Sequence, residues 1–170
     1  AYEEARRVPS LAQVIEQPKL LERLQGFFIR LEIPAPLALK LSLMQEDRPR
    51  LFQHSLIVAM LCTVMGVRAA LSLEDLQALA LAGTFHDIGE LCLDPSLLAP
   101  SHRIDNDERR YIHTHPITSF LMLRDFSEFP PTTATAVLRH HERLDGRGYP
   151  YALPGALIDR SLIPIGRCQR

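Results

Sequence analysis

Six residues carry side chains suited to binding divalent metals and are spread over four separate segments: His54, the adjacent pair His86 and Asp87, His115, and the adjacent pair His140 and His141. Neutral imidazole is the commonest side-chain metal ligand, and a carboxylate can bridge two ions. Neighbouring residues on a helix point about 100° apart, so an adjacent pair does not easily serve one ion from one direction. Two ions about 3.5 to 4 Å apart, with Asp87 between them and histidines on either side, resolve that geometry. A pair of ions so held lowers the pKa of a shared water and stabilises the attacking and leaving oxygens of a phosphoester, so the expected chemistry is hydrolysis.

Each of these residues also has an ordinary structural reading. Histidine in the last turn of a helix is favoured by the helix dipole, so His140 and His141 ahead of Gly146 could simply end a helix. His86 could be a core histidine bonded to a backbone carbonyl. Five histidines in this order weigh against coincidence. His102, in a polar loop, and His113, two positions from His115, are expected to face solvent.

The elements that must carry these residues read as helices. Apolar positions recur at helical spacing in Leu20–Leu31, in Leu37–Met44 and through the run after His54, while alternating strand patterns are scarce. Ser72 and Asp75 resemble a capping box opening a helix, LEDLQALALAGTF, that delivers the chain to His86 and Asp87. Pro95–Pro100 contains a short turn or helix. A helical segment starting at Asp105–Glu108 carries His113 and His115, and Pro116 suits the first turn of the helix ITSFLMLRDF. Pro130 and Pro131 open a last helix, TTATAVLRHHERL, ended by Gly146, which puts the histidine pair in its final turn. The expectation is an all-α bundle around a metal site, with residues 1–49 as a leading helical segment or linker and 50–170 as the functional domain.

At 170 residues one domain is the default. A net charge of −1 leaves no general basic surface, so DNA binding is not expected. Cys62, Cys92 and Cys168 form no CxxC pair and suit core positions in a reducing compartment. The apolar run Ser55–Val67 is shorter than the roughly 20 residues a membrane span needs, and reads as a buried helix. The chain opens at Ala1 without a methionine and stops in SLIPIGRCQR without a cap, which reads as a piece of a longer protein.

His54, then HDIG at His86–Gly89, HTHP with His115 and HHERLDGRGYP from His140 to Pro150 resemble in order and spacing the HD-GYP domain, a branch of the HD metal-dependent phosphohydrolases. The resemblance runs from about Gln53 to Arg170. It implies an all-helical HD-type bundle, a bacterial cytoplasmic setting, two divalent ions (iron or manganese, with zinc, nickel or magnesium as alternatives) and hydrolysis of cyclic di-GMP to pGpG or GMP. It implies His54, His86, Asp87, His115, His140 and His141 as ligands, with Asp87 bridging. It also implies a GYP loop beside the metals, containing Gly148 and Tyr149, that contacts GGDEF-domain partners, and an upstream regulatory domain. Arg143 and Arg147 are candidate phosphate or guanine contacts, because a planar guanidinium suits both; a solvated surface is their alternative. Gly146, Gly148 and Pro150 also suit a plain tight turn.

Three positions depart from the family pattern. Glu90 stands where the family has a lysine facing the substrate phosphate; reversing a charge about 5 Å from phosphate turns an attraction of roughly 3 kcal/mol into a similar repulsion at an effective dielectric of 20. Gln169 falls at the terminal aspartate ligand, and a neutral amide holds a hard cation less well. Arg50 stands where members with a third metal have glutamate. If the helix runs on through Gly89, His86 and Glu90 share a face, and Glu90 could replace the missing carboxylate. The two main expectations are therefore a cyclic di-GMP phosphodiesterase and a non-catalytic module that binds nucleotide or a partner protein for regulation. A different HD phosphohydrolase is disfavoured by DGRGYP.

Overall fold

The computed structural model describes residues 17–99 and 101–158, and among these the regular elements are helices. They are α1 (Pro18–Ile29), α2 (Ala35–Asp47), α3 (Pro49–Arg68), α4 (Leu73–Phe85), α5 (Asn106–Ile112), α6 (His115–Leu123) and α7 (Pro131–Leu138). Short 3-10 turns lie at Ile88–Cys92, Pro95–Leu98 and Gly155–Leu157. Prolines open α1, α2, α3, α6 and α7, where a missing N–H costs nothing. Ser72 caps α4 by accepting from Asp75 N at 3.1 Å, and Asp105 with Glu108 forms a full capping box on α5.

Helix α4 is the axis of the molecule: every residue from Ala78 to Phe85 is buried. It packs against α3 on one side and α7 on another, while α6 covers α7 and the 3-10 turn that follows α4. Phe85, Leu79, Val58, Ile88, Leu123 and Val137 share one core with Leu37 of α2. Burying a side chain such as Phe85 completely contributes about 1.5 to 3 kcal/mol. Five of the six site residues are therefore hung at helix ends or the turns that follow them, and His54 in the second turn of α3, on helices whose middles are fixed by this core. By length and composition α3 would also span a membrane, but Val58, Ala59, Cys62 and Val64 are buried within the bundle.

Three sequence expectations need correction. Helix α7 stops at Leu138, so His140 and His141 lie in the turn after it, and Gly146 sits at φ 70° in the following loop rather than at a helix end. His113 and His115 do not share a helix: His113 caps the C-terminus of α5, and His115 opens α6. Helix α4 does not run through Gly89 but gives way to the 3-10 turn, which removes the shared face proposed for His86 and Glu90. Cys62 is buried as expected, Cys92 is exposed, and Cys168 and Gln169 lie outside the described residues.

Candidate metal centre

The cluster is built on helix ends. In a continuing α4, the carbonyl of Gly83 would accept from the N–H of Asp87; instead the ring Nδ1 of His86 donates to it at 2.8 Å. Val137 O would likewise accept from His141 N–H, but His140 Nδ1 donates to it at 2.5 Å, and α7 ends. Ile112 O, at the end of α5, faces Pro116, which has no N–H to give, and receives His115 Nδ1 at 2.8 Å. Carbonyl oxygen only accepts, so in each ring Nδ1 carries the hydrogen. A neutral ring then presents the lone pair of Nε2.

Those three lone pairs converge on one carboxylate. His86 Nε2 lies 2.9 Å from Asp87 Oδ2, while His115 and His140 Nε2 lie 3.2 Å and 3.4 Å from Oδ1. His115 and His140 Nε2 are only 3.3 Å apart. Among the described residues, His86 Nε2 and Asp87 Oδ1 are buried with no hydrogen-bond partner. Acceptors that face acceptors at such distances need positive charge among them, and orphaned buried acceptors are costly.

Protons supply that charge only in part. Burial opposes charging His86, but Asp87 outweighs it and raises the pKa; the same balance holds at His115. At His140, burial wins over Asp87, and at His54 burial together with His86 lowers the pKa. Burial and the neighbouring His140 and His115 push His141 down to about 2. Burial alone would raise Asp87, yet His86 and the rings of His115 and His140 hold it well below the carboxylate range. An ionised carboxylate amid mostly neutral imidazoles is a donor set suited to divalent cations.

The ligand atoms fall into two groups, each with its members within 4.8 Å of one another: His54, His86 and Asp87, and Asp87, His115, His140 and His141. Asp87 belongs to both. His54, on α3, is the most open of them, with 44% of its side chain exposed and Nε2 3.8 Å from Asp87. Thus the six residues singled out from the sequence come together.

Glu90 lies outside both groups. Burial first, and then the charge of Asp87, push its carboxyl up to about 7, against the pull of His115, His86 and Arg48. Arg48, at the junction of α2 and α3, donates to Leu93 O at 2.9 Å. Arg50 is exposed. Arg143 grips Asp145 through Nε at 3.0 Å and Nη2 at 2.6 Å, and Arg147 points outward with its backbone N bonded to Asp145. His102 is exposed, pairing with Glu108 at 2.9 Å.

The loop after the histidine pair closes over it. Tyr149 N donates to His141 O at 3.3 Å, and the Tyr149 ring stacks on His141 with centroids 4.4 Å apart. Gly148 is required by proximity: a Cβ there would come within 2.4 Å of Arg143 N and 2.5 Å of Glu142 Cα. Gly89 is equally confined, since a Cβ there would come within 2.4 Å of His115 O, and its N–H donates to Ser119 Oγ at 2.8 Å, locking the turn after Asp87 to α6.

Two residues escaped the sequence reading. Glu142 is buried and accepts from Tyr151 N at 2.8 Å and Leu153 N at 2.9 Å, clamping the loop. Its place beside two candidate ligands was visible, but its partners nine and eleven residues onward were not. His113, expected in solvent, is half-buried and stacks on Tyr149 with centroids 3.8 Å apart and planes 5° from parallel.

The HD domain family matches residues 39–160. The chain is 37% identical over 109 residues to a 3'3'-cGAMP-specific phosphodiesterase of Vibrio cholerae, covering 64% of this chain and 25% of that protein. It is 29% identical over 102 residues to a cyclic di-GMP phosphodiesterase of Pseudomonas aeruginosa, 60% of this chain and 25% of that one. A cyclic di-GMP phosphodiesterase response regulator of Xanthomonas campestris is 34% identical over 89 residues, 52% of this chain and 24% of its own length. The chain thus spans about a quarter of the length of these curated relatives.

Proposed function

The chain belongs to the HD domain family, and on that premise we propose that it is a metal-dependent phosphodiesterase that hydrolyses a cyclic dinucleotide, cyclic di-GMP in the first instance, to pGpG or GMP. The observation that carries this reading is the convergence of three Nε2 lone pairs on the buried, ionised Asp87. His54, His86 and Asp87 would hold one ion, and Asp87, His115, His140 and His141 the second. An imidazole-rich set with one carboxylate favours iron over magnesium, with manganese the second choice. When bound, such ions supply Lewis acidity to a phosphoryl oxygen and a water of lowered pKa.

The chain's own groups do the rest. The carbonyls of Gly83, Ile112 and Val137 fix three ring planes, and a fixed plane preserves affinity, since loss of such supports weakens metal binding about 10- to 100-fold. Glu90 stands at the family's lysine position. In the metal-free protein burial and then the charge of Asp87 raise its carboxyl to about 7, and a protonated carboxyl there would soften the repulsion of phosphate. Gly148 and Tyr149 form the wall beside His141, and Arg147, exposed nearby, is a cation that would meet a phosphate or guanine edge. In this reading the outer side of the loop serves a GGDEF-domain partner, residues 1–49 lead from an upstream regulatory domain, and the protein works in the bacterial cytoplasm.

One observation favours the second reading, a regulatory module that binds nucleotide without cleaving it: the acid at position 90 where the family has a base. The test is incubation of the purified chain, loaded with Fe2+ or Mn2+, with cyclic di-GMP and with 3'3'-cGAMP, followed by chromatography of the products. Linear products that vanish on chelation support the enzyme. Tight nucleotide binding by the loaded protein without product would overturn it in favour of the module.

A further inference from the structure

His86, His115 and His140 are each held by a hydrogen bond from Nδ1 to a backbone carbonyl, but among the described residues no hydrogen bond reaches the ring of His141. What touches that ring is aromatic: Tyr149 at 4.4 Å and 21°, His140 at 4.1 Å, and His115 edge-on at 5.1 Å. A single stacked neighbour leaves a ring free to slide and tilt, since stacking is far less directional than a hydrogen bond. Tyr149 is itself supported. His113 lies 3.8 Å from it and within 5° of parallel, and two rings stacked this closely on one tyrosine must occupy its opposite faces.

We propose that His113 is a positioning residue for the second metal site, acting through Tyr149 to fix the ring of His141 in place of the carbonyl anchor that His115 and His140 have. The α5–α6 junction makes this possible, because two residues apart it sends His115 to Asp87 and His113 to the far face of Tyr149. A three-ring stack thus ties the loop to both the α5 end and the histidine turn. His113 belongs to neither candidate ligand group, and its imidazole chemistry is not what the role requires; a flat ring is. The inference rests on the two-ion reading of the site.

The test is calorimetric titration of metal-free protein with Mn2+ in wild type, His113→Ala and His113→Phe, with thermal melts to check folding. The expected result is one of the two equivalents weakened at least about 10-fold in His113→Ala, the range seen when ligand supports are lost, with the other unchanged and His113→Phe close to wild type. Identical isotherms for wild type and His113→Ala, or equal impairment of both variants, would overturn the inference. Failure of wild type to take up two ions would instead overturn the two-ion reading. In that case the imidazole proton and carbon shifts of metal-free His141 still decide: they move in His113→Ala and are restored in His113→Phe if His113 orients the ring, and stay put if it does not.

Discussion

A neutral imidazole that donates through Nδ1 keeps one lone pair, and at His86, His115 and His140 that pair is aimed at the same carboxylate. Glu90 is the residue whose behaviour is hardest to guess from its type, because burial and Asp87 lift its carboxyl from 4.5 to about 7. A raised pKa means that the folded protein binds this proton more tightly than the unfolded chain. The associated stability is complete below about 4.5 and is lost as pH rises through about 7. In metal-free protein the melting temperature of Glu90→Gln should therefore gain on wild type as pH is raised across that window. A constant difference between the two melts would show that Glu90 titrates normally. Glu90→Lys, which restores the family residue, should strengthen cyclic dinucleotide binding by about tenfold or more, as expected for replacing a repulsion with an attraction of a few kcal/mol discounted for solvent; a binding titration on loaded protein checks it.

Helix ends are the elements that make the site. Removing the carboxylate in Glu142→Ala deprives Tyr151 N and Leu153 N of their acceptor, at a cost of about 1.5 to 3 kcal/mol for each hydrogen bond to a charged group. Hydrogen exchange should show loss of protection at Tyr151 and Leu153 while the amides of α4 stay protected; unchanged exchange in the loop would mean that Glu142 does not clamp it. The six candidate ligands were legible in the sequence because imidazole and carboxylate at four separated segments make an unusual set. The start of α4 and its end at Phe85 were legible through Ser72 and the LEDLQALALAGTF pattern. The ends at Leu138 and Ile112 were not, because a histidine side chain there takes a carbonyl that an uninterrupted helix would use. Termination and metal binding looked like competing explanations for His140; one ring is placed for both, ending α7 with Nδ1 and facing Asp87 with Nε2. The stack through His113 was illegible for another reason: it joins residues 113, 141 and 149, which no local spacing connects.

The described residues form a bundle whose core fixes α3, α4, α6 and α7, so that candidate metal ligands from four segments meet. With a net charge of −1 the chain offers no general attraction for nucleotides, so under the proposed function the recognition of phosphate would fall to the site itself. Cations bound among these acceptors would join segments far apart in sequence, and binding to the folded state alone adds about 2.7 kcal/mol at a free concentration 100 times the Kd. Saturating Mn2+ should raise the melting temperature by several degrees and a chelator should reverse it; a melt indifferent to both would argue against a preformed centre. The most direct measurement is elemental analysis of extensively dialysed wild type beside Asp87→Ala. Two divalent ions per wild-type chain and close to none in the variant are predicted, because Asp87 is the one residue common to both ligand groups. A wild-type chain without metal, or a variant that keeps both ions, would contradict the account.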